Sequence, residues 1–356
     1  VSVTFRGTKC GFAKELAAAS EVPPFGKLSG DTYVFENEQN SSGDKARAQK
    51  NEGGTDASAA FQSELISATD PKNNASNKPE QVKVLTFNIA LDGQFGLQGV
   101  IDLIKKTDAD VVGLQEAGDN TKKIADALGY NYVLHGDAAV LTRLDIDGTS
   151  DGGNGVLMHT KSGKKFAFFD EHLYYKPYQP YQLLHIPYED SKFINTEAEA
   201  IDEATKARGA NLQEARNDIA SLKDEKLPTI VVGDFNEPSH LDWTAAAAKS
   251  GRHPVKVEWP TTKAFERDGF HDSYREIYPD EMAHPGYTWT PTTKDNDPKD
   301  HHDRIDYVLY RGDGIKVNSV QIIGEDAQHA DIPITPFPSD HRAITATFEL
   351  SDNSRK

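Results

Sequence analysis

Between Val82 and Leu350 one pattern recurs: a short apolar run stops, and a polar residue stands where it stops. The run Val82–Phe87 ends at Asn88, and Ala109–Leu114 ends at Gln115-Glu116. The run over 165–170 leads to His172, and Thr229–Val232 leads to Gly233-Asp-Phe-Asn236. Short runs rich in Val, Ile, Leu and Phe read as buried strands. Leu97, Val100, Ile101 and Ile104 between them have the spacing of one helix face. A second helix, capped by Asn120 and closed by Gly129, is expected over Ile124 and Leu128. A long polar helix is expected from Thr196 to Leu222, and a further one, capped by Ser239, through Trp243 and Ala245–Ala248. Strand-like runs at 138–143, 155–160 and 165–170 follow one another across short turns, which implies antiparallel pairs among the crossovers. Late strands fall at 304–310, 315–323 and 343–350. Two packed sheets with helices outside accommodate this order; a purely parallel sheet does not.

In sheets with helical crossovers, ligands gather at the carboxyl ends of strands. The residues at these ends are Asn88, Glu116, His172, Asp234 and Asn236; Asp306 lies in Arg304-Ile-Asp-Tyr307, and Asp340-His341 precedes the last run. A hard divalent cation takes oxygen ligands and keeps several waters. Glu116 and Asn88, with Asp340 or Asp234, offer such oxygens, so metal-assisted hydrolysis is the chemistry this set suits. Each residue alone is also compatible with a solvated turn; the combination carries the reading.

In order along the chain the motifs are Leu85-Thr-Phe-Asn88, Val112-Gly-Leu-Gln-Glu116, Glu171-His-Leu173, Gly233-Asp-Phe-Asn236, Arg304-Ile-Asp-Tyr307 and Ser339-Asp-His341. Together they resemble the endonuclease/exonuclease/phosphatase superfamily of DNase I-like enzymes. That resemblance implies an α/β fold, a four-layer α/β sandwich in which two mixed central β-sheets are flanked by helices. It also implies hydrolysis of phosphoesters with Mg²⁺ or Mn²⁺. By the same resemblance Glu116 is the main metal ligand, with Asn88 and Asp340 assisting. Asp234 orients or deprotonates the attacking water, and Asn236 holds water or phosphate. His341 is a general base or phosphate contact whose tautomer Asp306 fixes, and His172 donates to a nonbridging oxygen. Asp170 and Glu171 depart from the family pattern beside His172; they either raise its pKa or point away.

Substrate clues are fainter. Tyr174, Tyr175, Tyr178 and Tyr181 follow His172 closely and either wall a pocket or pack a Pro-rich loop. One tryptophan, Trp289 among the candidates, is expected near the mouth of the site. Arg208, with Lys206, Arg252 and Arg304, is a candidate phosphate cation. Asp295–Asp303 reads as a solvated loop or, alternatively, a Ca²⁺ site, without the ligand spacing of a calcium loop. A net charge of −17 and the lack of a basic cluster argue against broad capture of nucleic acid. The expected substrate is therefore a phosphorylated small molecule or headgroup, as monoester or diester. A secreted nuclease acting on nucleic acid is the alternative, and a catalytically silent binding or adhesion protein a third. A lipid substrate would call for an apolar insertion, hinted at only by Ile334–Phe337.

Residues 1–80 differ in composition and are expected to form an accessory extension to a catalytic domain at 81–352. Within it 40–80 is expected to be weakly ordered, with a helix at Ala57–Ile66 capped by Asp56 and small strands at Val1–Phe5 and Thr32–Phe35. No apolar run is long enough for a transmembrane segment, giving the expectation of a soluble monomer. The single Cys10 excludes an internal disulfide framework. Val1 in first place and the sequons at Asn40 and Asn74 give the expectation of a secreted or periplasmic protein.

Overall fold

A computed structural model describes residues 33–35, 78–189 and 191–351. The expected strand at Val1–Phe5, the helix at Ala57–Ile66 with its Asp56 cap, the loose segment up to 77, Cys10 and both sequons lie outside them. The strands are β1 (Tyr33–Phe35), β2 (Glu80–Asn88), β3 (Val111–Gln115), β4 (Asn131–His135), β5 (Ala138–Thr142), β6 (Asp145–Thr149) and β7 (Gly155–His159). They continue as β8 (Lys165–His172), β9 (Thr229–Asp234), β10 (His271–Asp272), β11 (Asp306–Arg311), β12 (Ile315–Gly324), β13 (Ile332–Pro333) and β14 (Ala343–Leu350). One sheet runs β1-β4-β5-β3-β2-β14-β12-β13 and the other β10-β11-β9-β8-β7-β6. Both are mixed: β2 and β3 are parallel, as are β8 and β9, within otherwise mostly antiparallel neighbours. The expected strand at 32–35 is the edge strand β1, with Tyr33 opposite Leu134.

Alternation along each central strand builds the layers, since successive side chains point to opposite faces. Val84, Val111, Phe168, Val232 and Val308 face the space between the sheets and form one buried cluster. Their neighbours Leu85 and Val112 face outward onto the helix Leu97–Thr107, whose Val100, Ile101 and Ile104 meet them. On the far side Phe169, Val231 and Leu309 meet Ile219 of the long helix and Phe265 of the helix Pro260–Arg267. The result is helix, sheet, sheet, helix: a four-layer α/β sandwich. Strands buried on both faces explain why their sequences read as nearly unbroken apolar runs.

Two glycines permit the close approach. A Cβ on Gly113 of β3 would meet Val232 Cγ2 at 2.5 Å and Asp170 Cγ at 2.9 Å, across the intersheet gap. A Cβ on Gly233, at φ 138°, would overlap the Glu171 carbonyl oxygen at 1.8 Å, so no other residue fits beside the parallel strand β8.

Several boundaries differ from the sequence reading. β4 and β6 were not expected: both are partly polar edge-side strands without a clean apolar run. β8 extends to His172 because its backbone pairs with β9 as far as Asp234. Thr244, not Ser239, caps the helix Ala245–Ser250, its hydroxyl accepting from the amides of Ala246 and Ala247; Trp243 precedes the helix, fully buried. Asn120 gives no side-chain cap to the helix Thr121–Leu128, and its amide donates instead to the Asp92 carbonyl. Gly129 closes that helix in the left-handed conformation, as expected. The long helix spans Glu197–Ser221 behind a full Thr196/Glu199 capping box. Ile334 and Phe337 pack on the β2 side of the core, Phe337 6.0 Å from the Phe87 ring, so this stretch is no membrane-facing insertion. No helix among the described residues is long and apolar enough to cross a membrane.

Candidate active site

Strand register assembles the polar residues. His172 of β8 lies opposite Asp234 of β9, and Asp306 of β11 lies opposite Asp234 on its other side. Three adjacent strands thus put three ionisable groups in one row. In the other sheet Asn88 of β2 lies opposite Gln115 of β3, so Glu116 leaves β3 beside it. Glu116 turns at φ 59°, and Ala90, Leu91 and Asp92 also have positive φ. Non-glycine residues in this region cost free energy and cluster at functional sites.

Asp234 is the hub. Its Oδ1 accepts from the Asn236 amide at 2.8 Å, and its Oδ2 accepts from Asn88 Nδ2 at 3.0 Å and Asn236 Nδ2 at 3.2 Å. The Nε2 atoms of His172 and His341 each stand 3.8 Å from Oδ2. Each imidazole is held from behind: His341 Nδ1 by Asp306 Oδ2 at 3.0 Å, and His172 Nδ1 by Asp137 Oδ2 at 2.9 Å. Burial opposes charge on both rings, yet the carboxylates around them outweigh it and push each pKa up to about 10. Burial dominates at Asp234, whose pKa rises to about 6 with help from Asp306, against the pull of both histidines.

Glu116 accepts from the Leu91 amide at 2.6 Å and from Asn88 Nδ2 at 3.2 Å. The Ala90 N–H takes Asn88 Oδ1 as its acceptor, which fixes the amide orientation. Asn88 therefore turns its nitrogen to Glu116 and Asp234, bridging two carboxylates, and its oxygen away. That differs from the expected oxygen ligand. Asp340 is half-buried; burial raises its pKa, and the nearby Glu116 charge raises it further. Two neighbouring carboxylates are the donor set a Mg²⁺-like ion takes, with waters completing its shell. A further group whose ligand atoms converge, Asp234, Asp306 and His341, is the catalytic row itself.

The acids flanking His172 point elsewhere. Asp170 accepts from Gln115 Nε2 at 2.5 Å between the sheets, and Glu171 accepts from Asn154 Nδ2 at 3.1 Å.

The substrate candidates divide. Trp289 is half-buried, its ring centroid 6.5 Å from that of His341, and Tyr175 is half-buried under Lys176. Tyr178 is buried, its hydroxyl donating to Asp303 Oδ2 at 2.8 Å, so it supports the fold and lines no accessible wall. Arg208 is also corrected: it is fully buried, with Nε donating to Glu237 at 3.0 Å and its other nitrogens on Gln179 and the carbonyls of Tyr174 and Pro177. A buried guanidinium paired this completely has no donor left for a phosphate. Lys206 pairs with Asp202 and Glu203, Arg252 donates to the carbonyls of Glu281 and Met282, and Arg304 pairs with Asp242 and Asp272. Trp243 and Trp259 are buried, which leaves Trp289 as the one at the rim.

Asp137 was missed. It sits in the tight turn between β4 and β5, where Gly136-Asp137 reads as ordinary hairpin chemistry. Asp137→Asn is expected to lower hydrolysis by about 10²-fold, the low end of what a positioned general acid–base group contributes. The His172 pKa, followed by NMR titration of the imidazole, should drop from about 10 toward its ordinary value. The stability drawn from this pair is present below the unfolded-state pKa of the histidine and is lost as pH rises through about 10. An unmoved His172 titration in the variant would contradict the pairing.

The sequence pattern of the Endonuclease/Exonuclease/phosphatase family matches residues 85–341. An uncharacterised protein of Caenorhabditis elegans is 30% identical over 294 residues, covering 75% of this chain and 91% of that protein. Among solved structures, an AP endonuclease from Archaeoglobus fulgidus is similar at 16% identity and a TM-score of 0.47, covering 76% of this chain and 99% of that one. The human Nocturnin catalytic domain, with bound sulfate, is similar at 18% identity and a TM-score of 0.46, covering 77% and 98%.

Proposed function

Because the chain belongs to the endonuclease/exonuclease/phosphatase family, whose members are phosphoester hydrolases, we propose that it cleaves a phosphodiester of a small molecule or headgroup. The observation that carries this reading is Asp234 set between two carboxylate-backed imidazoles, next to the Glu116–Asp340 pair. Glu116 and Asp340 would hold a divalent cation, Mg²⁺ or Mn²⁺, which when bound supplies charge neutralisation at the phosphoryl oxygens.

The chain's own groups do the rest. Asp234, fixed by Asn88 and Asn236, orients a water for in-line attack and accepts its proton at Oδ2, while the ester P–O bond opposite breaks and the departing alkoxide takes a proton from solvent. Asp306 holds the proton on His341 Nδ1, so Nε2 faces the phosphate and the Asp234 carboxylate. His172, oriented by Asp137, donates from Nε2 to a nonbridging oxygen as negative charge builds there. Trp289 offers a flat apolar edge to the leaving group. Diester over monoester is favoured because Arg208, Arg252 and Arg304 are all committed to protein partners. With those guanidiniums unavailable, a single phosphoryl charge suits the site better than two. The net charge of −17 favours a compact substrate over a long polyanion.

The test compares p-nitrophenyl phosphate, its bis-ester and supercoiled plasmid at equal enzyme concentration. The bis-ester should be cleaved at least about tenfold faster than the monoester, a difference of about 1.4 kcal/mol in barrier. Preferential monoester cleavage would overturn the diester reading. Efficient plasmid nicking at enzyme levels that leave the bis-ester intact would favour the nuclease reading instead.

A further inference from the structure

The run Asp295–Asp303 does not behave as the solvated loop its composition suggested. Its first residues are exposed, but His302 and Asp303 are buried and His301 is half-buried. Nor do its acids converge as a calcium loop would require. Asp300 accepts from the hydroxyls of Tyr181 and Thr293, whereas Asp303 accepts from Trp243 Nε1 at 2.8 Å and Tyr178 at 2.8 Å.

What does converge is a mixed nitrogen–oxygen set. His253 Nδ1 faces His301 Nε2 at 3.0 Å, and His301 Nε2 stands 3.8 Å from Asp303 Oδ1. The three ligand atoms all lie within 4.8 Å of one another. Tetrahedral coordination at Zn–N and Zn–O lengths of about 2.0–2.2 Å separates ligand atoms by about 3.3 Å. The observed spacings bracket that value.

We propose that His253, His301 and Asp303 form a second metal site, outside the catalytic row, for a borderline transition cation such as Zn²⁺. Two observations besides the spacing support it. First, Asp303 is 2% exposed and has no Lys or Arg ion pair among the described residues, although buried carboxylates are ordinarily paired or metal-bound. Second, the surroundings of the ligands resemble those that orient metal-binding side chains. Asp303 is fixed by the Trp243 N–H and the Tyr178 O–H. The Trp243 ring also lies flat on His253, with centroids 4.1 Å apart and planes 11° apart. Arg252, adjacent to His253, turns its guanidinium to the Glu281 and Met282 carbonyls.

Imidazole with one carboxylate selects Zn²⁺, Ni²⁺ or Co²⁺ over Mg²⁺, so this site and the catalytic one would discriminate between ions. Bound metal would tie the end of the 295–303 loop to His253. Asp303 also exchanges backbone hydrogen bonds with Trp289, and Asp306 lies three residues on. The site would therefore brace the segment that carries both Trp289 and Asp306. It does not depend on the catalytic reading.

The experiment uses chelator-treated Glu116→Ala protein, dialysed against Co²⁺. One bound equivalent is expected, with visible d–d absorption of a low-coordinate site and quenching of tryptophan fluorescence through Trp243. Adding His301→Ala should remove that equivalent; His301 is partly exposed, and circular dichroism checks that the variant folds. X-ray absorption of the Zn²⁺-loaded Glu116→Ala protein should show two imidazoles, without relying on the second variant. Absence of Co²⁺ binding by Glu116→Ala, full binding by the double variant, or an oxygen-only shell would overturn the proposal.

Discussion

Asp234→Asn is expected to lower kcat/KM for phosphodiester hydrolysis by about 10³–10⁴-fold, the range spanned by loss of an essential proton acceptor. Asn matches Asp in volume, so the hub should stay packed between β8 and β11. What is lost is the negative charge that faces two imidazoles at 3.8 Å each. The pH profile provides a second readout. Burial raises the Asp234 pKa to about 6, so wild-type kcat/KM should rise with pH through that region as the carboxylate forms. The variant's residual rate should lack this limb. A variant within tenfold of wild type, with the same acidic limb, would remove Asp234 from the proton path.

Glu116→Ala is expected to raise the metal concentration needed for half-maximal activity by roughly 10²-fold or more. Even changes behind a ligand cost 10–100-fold in affinity, and Glu116 is a proposed direct ligand. Alanine also leaves the Leu91 N–H and Asn88 Nδ2 without their acceptor, in a loop already at positive φ. Some loosening of residues 89–92 is thus expected beside the metal effect. A metal titration of activity distinguishes the two: a shifted midpoint indicates a lost ligand, and a lowered plateau at an unshifted midpoint indicates loop damage alone.

Much of this centre was legible because its residues stand where apolar runs end. Asn88, Glu116, His172 and Asp234 follow directly from that rule, since a strand buried on both faces must stop where polar groups begin. The pairing of His341 with Asp306 required the motif order as well, because β11 and β14 lie in different sheets. Asp137 was not legible: one acid in a hairpin turn has no periodic signal, and its partner comes from the other sheet. Arg208 and Tyr178 were misread for a related reason. Composition marks a cation or an aromatic near a site, but only packing reveals that Glu237 and Asp303 have already taken them. The acidic loop before Arg304 was misread because its exposed half, Asp295–Lys299, resembles its buried half in composition.

The most direct measurement is bis-p-nitrophenyl phosphate hydrolysis by the wild-type protein with Mg²⁺ or Mn²⁺, then with excess EDTA, beside Asp234→Asn under the same conditions. Turnover that EDTA abolishes, that returning metal restores, and that the Asn variant lacks is the expected result. Turnover that persists in EDTA, or that Asp234→Asn retains, would contradict a metal-dependent centre built around Asp234.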